Sequence, residues 1–86
     1  MNGIKISYRT EFPLIDRMLF AEGENGKALT VRVINGSTGQ LVSSEHFEDY
    51  NEALKYYREL IINLKRAETH EAIFNMFKML GFMDEE

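Results

Sequence analysis

Residues 23–39 read GENGKALTVRVINGSTG and place one strand between two turns. Asn25-Gly26 readily adopts the positive φ angles of a tight hairpin turn. Asn35-Gly36-Ser37-Thr38-Gly39 is a second cluster of turn residues. Between them Leu29, Val31 and Val33 alternate with Thr30 and Arg32, the period of two that marks a half-buried strand.

Working outward, Gln40 to about His46 supplies a strand after the second turn. Upstream, Ile15–Glu22 (IDRMLFAE) fits a strand before the first turn, although its pattern also admits a short helix. Ile4, Ile6 and Tyr8 alternate with Lys5, Ser7 and Arg9 as a further strand, and Pro13 makes residues 10–14 a bend. The expectation is an antiparallel β-meander of three to four strands.

The period then changes. Asp49 followed by Glu52 has the spacing of a capping box, and Tyr50, Ala53, Leu54, Tyr57, Leu60, Ile61 and Leu64 recur at helical spacing. A helix to about Arg66 follows, with Tyr57, Leu60, Ile61 and Leu64 expected on Leu29, Val31 and Val33. Only Ile62 falls on its wet side. Thr69 is a good N-cap for a second helix, ending at Gly81 in the left-handed C′ position with Phe82 folded back on Phe77. Strands first and helices afterwards predict an α+β fold: one domain over residues 1–86, with two α-helices packed on one face of the sheet.

Composition narrows function. Hydrophobic residues make up 44% of the 86, enough for one core, and there is no cysteine for disulfides or thiolate metal sites. No stretch has signal-peptide character or the ~20 apolar residues of a membrane span. Together these predict a soluble, cytoplasmic chain with no membrane association. The net charge of −4 is uneven, since residues 41–86 hold ten acidic and five basic side chains. That balance argues against general nucleic-acid binding, which rests on clustered Lys and Arg.

Catalytic patterns are missing. Gly36-Ser37-Thr38-Gly39 lacks the spacing of a nucleophile elbow, and Gly26-Lys27 lacks the rest of a phosphate loop. His70-Glu71 opens like a zinc-protease helix, but position 74 is Phe rather than the second His. His46 and His70 would have to meet with a carboxylate to hold a metal, and nothing in their spacing brings that about. The reading is therefore of a chain that is not an enzyme and has no cofactor, with a small metal-dependent enzyme as the last alternative. A nucleic-acid face made of Lys5, Arg9, Arg17 and Arg32 on the polar side of the sheet ranks ahead of it.

The second helix is the unusual segment. Ala72, Ile73, Phe74, Met76, Phe77, Met79 and Leu80 cover more than half of its circumference, with Glu71, Asn75 and Lys78 as the polar residues between His70 and Gly81. Either it wedges between the sheet and the first helix, or part of Phe74, Met76, Met79, Phe82 and Met83 is exposed and binds a protein partner or a second copy. Methionine suits adaptable binding surfaces. The leading expectation is a protein-interaction module: a regulator, inhibitor or assembly subunit. In size, charge and element order the chain resembles small phage-encoded inhibitors of bacterial defence, including some anti-CRISPR proteins, a likeness that implies a protein-binding role and assigns no residue.

Overall fold

The computed structural model describes residues 4–24 and 26–81. Four antiparallel strands run β1 (Lys5–Phe12), β2 (Arg17–Glu24), β3 (Leu29–Asn35) and β4 (Leu41–Phe47), hydrogen-bonded in that order as a simple meander. One helix, α1 (Tyr50–Met79), follows. The expected meander is present, and the ambiguous segment Ile15–Glu22 is strand from Arg17 onward.

β1 is longer than its alternation suggested. Thr10–Phe12 belongs to the strand, and the bend is a short 3₁₀ turn over Pro13–Ile15. Pro13 has no N–H to continue the ladder, so pairing ends at Phe12, whose ring is buried. Asp16 turns the chain into β2 with a left-handed φ of 56°. That corner is tied to the β3–β4 turn, because the Gly36 N–H donates to the Asp16 carbonyl at 2.9 Å and the Ser37 hydroxyl to its carboxylate at 2.7 Å. Within the turn, the Asn35 side chain accepts from the Ser37 and Thr38 N–H groups, both at 3.1 Å. At the β2–β3 end, a Cβ on Gly23 would overlap the Ala28 carbonyl oxygen, so only glycine fits there.

Phe12, Leu19, Ala21, Val31, Val33 and Tyr57 form the core, with Leu60, Ile61 and Leu64 packed against it. Leu29 is also fully buried. The expected packing of α1 on Val31 and Val33 is present, whereas Leu29 is buried outside that cluster, and Phe12, Leu19 and Ala21 contribute more than the sequence pattern indicated. Tyr8 lies on the helix side, where its hydroxyl meets that of Tyr50 at 3.3 Å, but on an edge strand it stays partly exposed. That shared bond is the main cause of a Tyr50 phenol pKa above its ordinary value. Asp49 caps α1 as expected, accepting from the Asn51 and Glu52 N–H groups at 2.9 and 3.3 Å.

The second helix is not a separate element. Residues 65–70 (KRAETH) contain no Gly or Pro, and Thr69 sits inside α1 rather than capping a new helix. What resembled a break is a change of face. Thirty residues make a helix of about 45 Å. Strands of eight residues reach only about 26 Å. The helix therefore overruns the sheet, giving the molecule principal extents of 64 × 24 × 16 Å. Gly81 has the expected left-handed φ of 83° at the helix end. The proposed return of Phe82 onto Phe77 lies outside the described residues.

Candidate functional site

α1 leaves the sheet at Glu68. This carboxylate is buried, accepts the Leu14 N–H at 3.0 Å and lies 3.5 Å from the Lys65 ammonium. Pro13–Ile15 is the last part of the fold against which the helix is tied, and Leu14, Ala72 and Met76 border a shallow depression just beyond it. Residues 69–80 form an arm about 18 Å long.

Successive helical residues turn by about 100°, so Ala53, Tyr57, Leu60, Ile61, Leu64 and Glu68 share the side that faces the sheet. Continued along the arm, that side carries Glu71, Asn75 and Lys78, which are polar where no sheet lies beneath them. The apolar side has moved about 140° round the helix. There Ile62 is 54% exposed, Ile73 43%, Met76 51% and Leu80 61%. One helix thus carries two apolar stripes on nearly opposite sides, the first covered by the sheet and the second open.

Among the residues expected to bind a partner, Met76 lies on the open stripe, whereas Met79, 87% exposed, lies in line with Ile61 at the edge of the sheet-facing side. Phe74 is exposed on the flank, where the Lys78 ammonium stands 5.5 Å from its ring centroid. Phe82 and Met83 lie outside the described residues. Ile73 and Leu80 also belong to the open stripe. Ile62 joins them. The signal for these three was the spacing 62, 69, 73, 76, 80, a 3–4 repeat on the side away from Ala53 and Tyr57.

The uncovered sheet face is the second surface. Cross-strand neighbours place Arg9, Phe20, Arg32 and Ser44 in one row and Ser7, Glu22, Thr30 and His46 in the next. Arg9 pairs with Glu11, and Arg32 with Glu22. Lys5 lies opposite Glu24 on the same face. Its basic and acidic groups therefore largely offset one another. Arg17 is not among them, since its guanidinium donates to the Ile15 and Asp16 carbonyls at the β1–β2 corner.

The histidines are separated. His46 lies on the sheet face between Thr30 (2.8 Å) and Glu48 (3.1 Å), whereas His70 borders the outer side of α1 near Ile62 and Ile73. Among the described residues no three His, Asp or Glu side chains come together as metal ligands. Nor is any described helix long and apolar enough to cross a membrane. No family, curated protein or solved structure matches the chain.

Proposed function

We propose that this protein is a non-enzymatic protein-interaction module that binds through the arm at residues 69–80. The observation that carries this reading is the second apolar stripe. A helix running past its sheet into water would be polar all round unless a partner covered it. Here Glu71, Asn75 and Lys78 keep to the sheet side, and the side away from it carries Ile73, Met76 and Leu80 over about two turns. Exposed apolar surface of this kind on a small domain marks an interaction site. Met76 and Met79 give it the adaptability of an interface that moulds to its partner. Regulator, inhibitor and assembly subunit are all roles such a module serves, and the likeness in outline to phage-encoded inhibitors falls within them.

The experiment is comparative. Tagged parent protein, the double variant Ile73→Glu/Met76→Glu and the variant Arg32→Ala are used for capture from host extract, alongside gel shifts with DNA and RNA. Loss of a specific protein partner with the double variant, and retention with Arg32→Ala, supports the proposal.

The row Arg9–Phe20–Arg32 favours a second reading, a nucleic-acid-binding sheet, since sheet-based RNA binders stack bases on exposed aromatics flanked by cations. Glu11 and Glu22 neutralise both arginines and rank it below the first. Salt-sensitive micromolar binding weakened by Arg9→Ala and Arg32→Ala would reverse that order.

A further inference from the structure

We infer that the occupant of the arm is a second copy of this chain, joined as an antiparallel pair of helices about a two-fold axis between Phe74 and Asn75. This rests on the interaction reading above and specifies its partner.

The first support is the spacing of the stripe. Thr69, Ile73, Met76 and Leu80 are separated by steps of four, three and four residues. That order is the same in both chain directions. Turning one copy around superposes Thr69 on Leu80 and Ile73 on Met76, so the stripe is its own complement when antiparallel. Steps of four and three also match the 3.5-residue repeat by which two helices keep one seam in contact. A two-fold axis requires such a self-matching surface. Ala72 flanks the seam and leaves room for the opposing Met79.

The second support is position. The seam lies away from the sheet, so a partner helix laid on it runs along the back of α1 clear of β1–β4, and Leu14 of the Pro13–Ile15 turn borders the seam beside Thr69, Ile73 and Met76. Each copy's sheet then faces outward.

The third support is area. The exposed parts of Ile73, Met76, Phe77, Met79 and Leu80 amount to on the order of 500 Å² per copy, taking ~200 Å² for a whole large side chain. Two copies together present about 1,000 Å², at the low end for a specific interface, which fits a weak, reversible dimer rather than an obligate one.

Sedimentation of the full chain between about 1 and 100 µM tests this, with Ile73→Glu/Met76→Glu on the seam and Asn75→Lys on the opposite side of the same arm. Glutamate and lysine are both good helix formers, so far-UV circular dichroism should stay unchanged in each. The expected result is a parent dimer, at least tenfold weaker self-association in the seam variant, and parent behaviour in Asn75→Lys. Because the chain has no cysteine, spin labels on Lys55→Cys report the direction of pairing. A rise of 1.5 Å per residue puts those labels about 60 Å apart in the antiparallel pair, against under about 25 Å in a parallel one. A parent that is monomeric at ~100 µM, a dimer indifferent to the seam variant, or the short distance each overturns the inference. A monomer that still captures a foreign protein through Ile73 and Met76 overturns the dimer and leaves the interaction reading standing. A monomer with no arm-dependent binding overturns both.

Discussion

The two halves of α1 have the same secondary structure and opposite surroundings. From Tyr50 to Glu68 the apolar stripe lies over the sheet, with Ala53 and Tyr57 buried, Leu60, Ile61 and Leu64 packed round the core, and Ile62 alone on the far side. From Thr69 to Leu80 the apolar stripe of Ile73, Met76 and Leu80 faces away from the sheet and stays exposed. Averaged over its length the helix is barely amphipathic. A helix can therefore be continuous in its backbone while its apolar side serves two purposes. The first half stabilises the monomer, and the second is available to a partner.

The sharpest way to break this contrast is to truncate one side chain from each half. Tyr57→Ala removes a buried ring that meets the Tyr8 ring at a centroid distance of 6.0 Å, and it deprives the Thr10 hydroxyl of its 3.0 Å bond. It is expected to cost about 3–5 kcal/mol in urea denaturation. Met76→Ala in the arm should cost no more than about 0.5 kcal/mol at concentrations where the protein is monomeric. Comparable losses in the two would mean that the arm is core.

Glu68 marks the boundary between the halves. Glu68→Ala strands the Leu14 N–H and should cost about 1–3 kcal/mol. Glu68→Gln keeps an oxygen for that N–H and should retain most of the stability. Hydrogen exchange at Leu14 distinguishes them, with fast exchange in the alanine variant and near-parent protection in the glutamine variant. At the other end of the covered half, Asp49→Ala removes two cap bonds and should cost about 1 kcal/mol, less than Tyr57→Ala because the site is exposed.

The same contrast explains what could be read from the sequence. The meander was legible because Asn-Gly turns and period-two alternation are local signals, and Asp49 because a cap needs only its own helix turn. Phe12 was missed, since its burial depends on β1 continuing to the residue before Pro13. The covered stripe of α1 was legible from spacing alone. Its end was mistaken for a helix end because Arg66-Ala67-Glu68 interrupts the apolar period. Those residues contain no helix breaker, and the interruption is where the stripe crosses to the other side of the helix. Ile62, set aside as a lone apolar residue on the wet face, is the first member of the second stripe. Whether Phe74 and Met76 were covered could not follow from spacing, because it depends on where the sheet stops beneath the helix.

The smallest expected effect is also the most discriminating. Well below the dimer's dissociation constant, Ile73→Glu/Met76→Glu should unfold within about 0.5 kcal/mol of the parent, because both side chains are near half exposed in the monomer and contribute little to its core. As concentration rises the two proteins should separate. Dimerisation binds the folded state and not the unfolded one, so the parent gains stability as RT ln(1 + [L]/Kd), about 1.4 kcal/mol when the free partner is at roughly tenfold the dissociation constant. The variant gains none over the same range. Parallel midpoints at every concentration would remove the dimer from the account of the arm. A variant that loses more than about 1 kcal/mol at the lowest concentration would do more, since the outer stripe would then stabilise the monomer and the distinction between the two halves of α1 would fail.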